Sequence, residues 1–516
     1  MSVLSSSNPP AIEPIKSQRA IVSSEWFAGF SAIAIFTVMS VTMAFISQGF
    51  LEGDACSHYL KARSAFTNMA DLLSVWGRPF CTALYTLPAH FAGRLGVRLT
   101  SLAVAIGIAL ITRSIANRQR WQWPMLALIF LLAQPLVFLH SFSELTELPF
   151  ALLLALGFWA YQRRRFLLFA LVIGMGPLSR PEGFGFLGLG LLALILHRRW
   201  RWIPVLLLPL VSWDYLGWRA NGSQGPWWLW LKDSWPYSQE SLYDRGPLLY
   251  FVSVLPAVIS PFVFPAAVVG GWLCFKAGTS NVDRPLGYTP EPDRTAKHPT
   301  LHLASETRLG SDRHLRRCEL LIVVLPAMIV IGHTLLYWLG KMASNGEVRY
   351  MMVVAPFWAL LSARGWAWIF RMMDWKHPLL WAGFAAMLAV LVNRAWTVIP
   401  MDNSPDWREA RQIAEWYKTQ GIQKYPNIEV SHVGLQYYLL EFGPQKGNLL
   451  DWNKAAIDSR PPGTLLVWDR VGALFNSDAQ RKVTLEEIRK SGWKPLKLRW
   501  TNGAGEWQFF VSEKAS

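Results

Sequence analysis

Residues 26–50 read WFAGFSAIAIFTVMSVTMAFISQGF, and Leu51-Glu52-Gly53-Asp54 follows directly. The run carries no ionisable side chain and exceeds the roughly 20 residues that take an α-helix across hydrocarbon. A helix of this kind satisfies its own backbone polar groups, the condition for lying in lipid. Glu52 and Asp54 then emerge together at a membrane surface. The stretch therefore predicts a membrane protein with carboxylates at one boundary.

Composition extends this reading outward. The chain has 516 residues, 52% hydrophobic and 16% charged, where a soluble chain carries about 25% charged residues. Apolar blocks recur up to residue 398 and then give way to a soluble composition. The 28 Trp and 28 Phe suit a protein whose amphipathic rings sit at headgroup level. The net charge of +16 is gathered in short runs between apolar blocks, a pattern of membrane orientation that argues against nucleic acid. Cys56, Cys81, Cys274 and Cys318 form no CxxC pair, so zinc and iron–sulfur centres are not indicated. Cys56 and Cys81 share one loop and can pair, but free thiols are the preferred reading. No cleavable signal is expected, because the apolar run from Trp26 to Phe50 is long enough to span and lacks a clear small-residue cleavage site.

Eleven spans are expected: 26–48, 96–113, 123–140, 146–161, 166–179, 183–197, 203–219, 247–275, 319–339, 350–370 and 378–398. Residues 79–93 are apolar but short, and read as a helix lying along the interface. Basic clusters test that choice through the positive-inside rule. With Lys16 and Arg19 cytoplasmic, so are Arg113, Arg118 and Arg120, then Arg163–Arg165, Arg198–Arg201, the 276–318 loop, and Arg371 with Lys376. Counting 79–93 as a span would place the first two clusters outside.

The predicted fold is a membrane all-α, polytopic bundle of about eleven spans, with interfacial helices in the first outer loop and a small C-terminal α/β soluble domain. Its divisions are a cytoplasmic N-terminal segment (1–25), a membrane domain (26–398) containing a mobile cytoplasmic loop (276–318), and an extracytoplasmic α/β domain (399–516). In that last domain Ser404 caps a helix with Pro405 first and Gly421 last. Ile428–Val433 and Thr464–Trp468 read as strands, Leu485–Lys490 as a helix, and Leu496–Trp500 with Trp507–Val511 as a hairpin turning at Asn502-Gly503. No internal repeat is visible.

The outer connections are 49–95, 141–145, 180–182, 220–246 and 340–349. Loop one carries Glu52, Asp54, His58 and Arg78. The later turns carry Glu144 and Glu147, Arg180 and Glu182, and Lys341, Glu347 and Arg349. Ionisable residues beside membrane spans are costly and mark functional candidates. A carboxylate here can deprotonate an acceptor hydroxyl, while Arg and Lys hold a phosphate and stabilise its charge. A substrate with a lipid tail and a phosphate head would lie where they converge. Each residue also has a plainer reading. Asp54 can be a solvated loop carboxylate, Glu144 and Glu147 can cap the next span, Arg180 and Glu182 can pair together, and Arg349 can be an interface anchor. His58 follows Asp54 by four residues, a metal-compatible spacing, yet a lone loop histidine is more often neither ligand nor catalyst. Trp227, Trp228, Trp230 and Trp235 read as an interfacial belt, with sugar stacking as the sharper alternative.

The ordered set Gly53-Asp54, Arg78-Pro79 through Pro88, Ser143-Glu144-Leu-Thr-Glu147-Leu-Pro149-Phe150, Leu178-Ser-Arg180-Pro-Glu182-Gly183 and Glu347-Val-Arg349-Tyr350 resembles the GT-C superfamily of polytopic glycosyltransferases. The resemblance covers residues 26–400 in architecture and rests on order and sidedness. It implies a polyprenyl- or dolichyl-phosphate sugar donor, Asp54 as catalytic base, Glu144 or Glu147 as second acid, and Arg349 near the lipid phosphate. Arg180 and Lys341 are further phosphate candidates. Many members have two adjacent acids in loop one; here Asp54 is followed by Ala55, with Glu52 two residues earlier, so a divalent metal is possible in principle but not indicated.

The expected activity is inverting transfer of a hexose, mannose being the candidate, from a polyprenyl phosphate to an unidentified acceptor at the extracytoplasmic face of a bacterial plasma (inner) membrane. Membrane lipids are the other expected partners. The alternative is a transporter or flippase for a lipid-linked or anionic solute, which calls for repeats and helices broken at matching positions. A scaffold displaying the C-terminal domain leaves the polar cluster unexplained.

Overall fold

The structure, a computed structural model, describes residues 16–236, 245–279, 301–342, 344–372, 382–383, 385–386, 399–441, 448–450, 452, 454–474, 482–501 and 508–514. Among these, four helices are long and apolar enough to cross a membrane: Glu25–Ile46, Pro79–Arg118, Arg313–Leu339 and Val348–Met372. Tyr250–Ile259 and Phe264–Thr279, bent by 109° at their junction, make a fifth if taken together. Their outer faces leave Phe27, Phe30, Phe45, Val268, Trp272 and Ile331 exposed. Apolar exposure on this scale fits lipid and not water.

Two of the expected spans are interrupted. The expected span 123–140 divides into Met125–Leu132 and Pro135–His140. Pro135 removes a backbone donor, and the Gln134 side chain at the break donates to the Ala355 carbonyl at 2.9 Å. The expected span 247–275 breaks at Ser260, whose φ is 93°. Short helices are tolerated here because Met125–Leu132 is buried on every side within protein, where lipid imposes no length requirement. The expected 378–398 span lies almost wholly outside the described residues. The 276–318 segment also differs from a loop. Residues up to Thr279 continue one helix and Leu301 opens another that runs to Leu339; residues 280–300 lie outside the described residues. Polar residues such as Glu and Arg are good helix formers, so a membrane helix can project past lipid.

Pro79–Arg118 is one helical run interrupted at Gly93, with φ 58° and ψ −148°. That residue separates the expected surface helix from the expected span. Leu87 and Phe91 remain exposed beside Phe66, whose ring stacks on His90 at 3.8 Å, an apolar ridge suited to the interface.

The C-terminal part is a five-stranded sheet: β1 Asn427–Val430, β2 Asn448–Leu450, β3 Thr464–Asp469, β4 Trp493–Thr501 and β5 Gln508–Lys514, in the order β2-β1-β3-β5-β4. β1 runs parallel to β2 and β3, and β5 runs antiparallel to β3 and β4. The expected strand 428–433 is cut short because Val433 opens a helix to Glu441, capped by His432 Nδ1, which accepts from the Leu435 amide. Ser404 occupies the N-cap position without a side-chain cap bond, and the helix passes Gly421 through a π-turn to Lys424. Leu485–Lys490 forms as expected, closed by a Thr484/Glu487 capping box. The Asn502-Gly503 turn lies outside the described residues.

One hydrophobic core joins this sheet to the segment that follows the first membrane helix. Cys56, Tyr59, Ala62, Tyr85 and Ala89 pack with Ala410, Ile413, Val430, Tyr437 and Val467. A fully buried Arg98 ties the same region to the membrane bundle. It donates to the carbonyls of Ala44, Ser47 and Gly49 at 2.7–3.0 Å and to Glu144 at 2.9 Å.

Candidate active site

The helix Gly53–Ser64 starts immediately after Glu52 and carries Asp54 in its first turn. The turn Val348–Val354 brings Arg349 to it from nearly three hundred residues away. Arg349 Nη2 donates to Asp54 Oδ2 at 2.6 Å and lies 3.0 Å from Glu52 Oε2. Its Nε lies 3.7 Å from Glu147 Oε1. Glu147 opens the helix Glu147–Gln162 and is the shared neighbour of two arginines, because Arg180 Nη1 donates to the same oxygen at 2.5 Å. Arg180 also chelates Glu182 through Nε and Nη2 at 2.9–3.2 Å. Both guanidinium groups flank the Tyr350 ring, at 5.6 and 5.9 Å. Burial strengthens charge-assisted bonds of this kind.

These contacts form one chain of alternating charge from Asp54 through Arg349, Glu147 and Arg180 to Glu182. Arg78 adjoins it, donating to Thr146 Oγ1. His58 is buried behind Asp54, stacked on Trp76 at 6.1 Å, and its Nδ1 has no hydrogen-bond partner among the described residues. Glu347 accepts from Asn345 Nδ2 at 3.0 Å, and Asn345 accepts in turn from the Tyr350 hydroxyl at 2.8 Å. Glu144, by contrast, faces Arg98 and stands apart from this chain. Lys341 shares the 340–347 turn but lines neither cavity described below.

Local charge sets the protonation states. Burial drives the Glu52 carboxyl upward against Arg349, and Glu347, Asp54 and Glu147 add to the rise, so it reaches about 8. Burial pushes Asp54 the same way, but the charge and hydrogen bond of Arg349, with the charge of Arg78, outweigh it and hold the carboxyl below its usual range. Burial and Arg78 depress His58 to about 3, so this imidazole is neutral. Burial also raises Glu347. The loop thus presents Asp54 as an anion beside a protonated Glu52.

Two cavities meet this charged partition. One, of about 420 Å³, is polar on one side, with Glu52, Asn345, Glu347, Arg349 and His140 in its wall. The other, of about 290 Å³, has Arg78, Arg180 and Glu182 at one end and Phe186, Met328, Ile329 and Leu336 along its length. The second shape suits an apolar chain ending in an anion.

Several contributors were not singled out from sequence. His140 Nδ1 donates to the Leu136 carbonyl at 2.8 Å and turns Nε2 toward Glu147 at 3.9 Å. His333 stacks on Tyr350 at 4.8 Å and reaches Glu182 at 3.3 Å. Arg98 and both histidines lie in apolar runs, where polar side chains are costly; that was the available signal. Trp230 is a correction, since it is buried edge-on against Trp213 and does not join an interfacial belt. Among the described residues no group of three His, Cys, Asp or Glu side chains could hold a metal ion.

No family model matches the sequence, and no curated protein does. Solved structures do. The chain superposes on apo ArnT from Cupriavidus metallidurans with a TM-score of 0.61 at 12% identity, over 96% of this chain and 98% of that one. It superposes on the same enzyme bound to undecaprenyl phosphate with a TM-score of 0.56 at 13% identity, over 94% and 98%. Similarity across nearly the whole of both chains covers the membrane helices, the segment that follows the first of them and the C-terminal sheet together: this chain has the GT-C fold.

Proposed function

We propose that the chain transfers a sugar from a polyprenyl phosphate to an acceptor at the outer membrane face, with a hexose, and first of all mannose, as the sugar to test. The carrying observation is Arg349, which bridges Asp54 and Glu52 of the first outer loop and borders Glu147 at the divide between a polar and an apolar cavity. A protein of the same fold has been solved with undecaprenyl phosphate bound, which supports a lipid phosphate as donor.

In this reading the lipid chain occupies the apolar cavity and its phosphate meets Arg180 and Arg349; Lys341, expected as a further cation, lines neither cavity. The phosphate competes with Asp54 for Arg349. As that contact loosens, Asp54 becomes a stronger base and takes the proton of the acceptor hydroxyl. The acceptor oxygen attacks the anomeric carbon, the bond from that carbon to the phosphate oxygen breaks, and the electron pair leaves with the polyprenyl phosphate. One displacement inverts the anomeric centre. Glu147 keeps the two arginines in place.

The test is transfer of labelled sugar from a panel of synthetic polyprenyl-phosphate sugars by purified protein in lipid, beside Asp54→Asn. General-base catalysis contributes about 10²–10⁴-fold, and the variant should lose a factor in that range. Full turnover by a well-folded Asp54→Asn would sink the mechanism. No binding or turnover with any donor would favour the transporter reading, which a flux assay then checks.

A further inference from the structure

Three helices end on the side of the bundle away from Asp54, and all three end in the same unusual way. After Pro79–Arg118, Arg120 has φ 58°; after Glu147–Gln162, Arg164 has φ 56°; after Gly183–Leu196, Arg198 has φ 54°. Each follows a Schellman pattern. The Arg120 amide donates to Asn117 and the Trp121 amide to Ala116. The Arg164 and Arg165 amides donate to Tyr161 and Ala160, and those of Arg198 and Arg199 to Ile195 and Leu194. This left-handed position favours glycine, because a side chain there is strained. Arginine occupies it three times.

Service to the helix dipole does not explain the choice. A cation in the last turn does that without strain, as Arg118 does for the first of these helices. The turns are also contiguous. Ser114 receives bonds from Trp159 Nε1 and Arg163 Nη2, Tyr161 OH meets His197 Nε2 at 3.0 Å, and Arg199 lies over Phe166. Arg118, Arg120, Arg165, Arg198, Arg199 and Arg201 are all exposed, and none forms an ion pair with a carboxylate among the described residues. The helix from Glu147 is 16 residues long, which sets this surface about 24 Å from the charge chain at 1.5 Å per residue, most of the roughly 30 Å of a bilayer core. Leu167, Leu192, Leu196 and Trp200 lie exposed beside the turns.

We propose that the Arg120, Arg164 and Arg198 turns form one docking surface for the headgroup phosphates of anionic phospholipids in the leaflet opposite the active site. The exposed leucines meet the acyl chains, and the arginines meet the phosphates. This inference stands apart from the sugar chemistry.

The test compares thermal unfolding of the whole protein in nanodiscs of phosphatidylcholine alone and of phosphatidylcholine with phosphatidylglycerol. The wild type should melt higher with phosphatidylglycerol, and the gain should shrink with added salt. The triple variant R120G/R164G/R198G should fold in phosphatidylcholine with an equal or higher Tm, since glycine removes the strain, and should lose most of the phosphatidylglycerol gain. A gain retained by the triple variant, or absent from the wild type, would overturn the proposal. So would a triple variant that does not fold, because the arginines would then serve the fold itself. Inorganic phosphate added to phosphatidylcholine discs should leave the Tm unchanged; an equal gain would point to a free anion and overturn the lipid assignment.

Discussion

Glu144 and Glu147 are three residues apart, yet one meets Arg98 and the other meets Arg180 and Arg349. Their substitutions should therefore separate. Removing one partner of a buried ion pair costs about 3–5 kcal/mol, and Arg98→Ala should lose stability on that scale in denaturant unfolding. Glu147→Gln should instead lower turnover per folded molecule. Unchanged turnover there would remove Glu147 from the site. Protonation gives a second test. Glu52 is raised from its usual 4.5 to about 8, so the native state holds a proton that the unfolded chain releases. Its contribution to stability is complete below 4.5 and is lost as pH rises through 8. Glu52→Gln keeps the uncharged form at every pH, so its melting temperature should decline less than the wild type's across that window. Parallel profiles would contradict the assignment.

At the scale of elements, Gly93 and the helix that carries Asp54 matter most. Gly93 divides the surface helix from the membrane helix at φ 58° and ψ −148°. A β-carbon added at this position would meet nothing nearer than the Tyr59 hydroxyl at 3.6 Å, so there is space for it and the constraint is the backbone. Gly93→Ala should cost about 1–3 kcal/mol, the range for a residue held in a region open mainly to glycine; a neutral result in chemical unfolding would show that the break relaxes. The helix Gly53–Ser64 is fixed from its other end, where Tyr59 OH donates to Glu441 Oε1 at 2.6 Å and Arg63 pairs with the same oxygen. Asp54 is thus carried by a helix whose far turn is fastened to the C-terminal sheet.

That coupling defines the whole molecule. Cys56 lies two residues after Asp54, is fully buried, and contacts the Val433 carbonyl at 3.8 Å. Tyr437 packs on the same helix through Phe50 and Tyr59. Truncating a buried aromatic costs about 3–5 kcal/mol, so Tyr437→Ala should loosen this shared core, speed labelling of Cys56 by a thiol reagent, and reduce transfer. Unchanged labelling would mean that the C-terminal domain docks without supporting the loop. The molecule is also polarised. Carboxylates and their arginines gather at one end, and exposed arginines at the other.

Much of this was legible in the sequence, and the reasons differ by residue. Helices long enough to cross lipid announce themselves because every backbone group must be satisfied within one segment, and so Glu25–Ile46 and Arg313–Leu339 stand out. The acids and arginines beside them are conspicuous because charge is costly there. The sequence by itself determined the membrane class, the position of Asp54 at the first helix boundary, and the strands β3 and β5. It did not reveal that the 123–140 run is two helices, because a short buried helix and a span share one composition. It did not separate Glu144 from Glu147, since the partner of each lies tens to hundreds of residues away. Only the tertiary structure decided that Arg349 reaches Asp54, that His140 and His333 lie beside Glu147 and Glu182, and that the C-terminal core closes on the first loop. Each of these depends on packing between distant segments, and a local sequence pattern carries no record of which distant side chain will fill the space beside it.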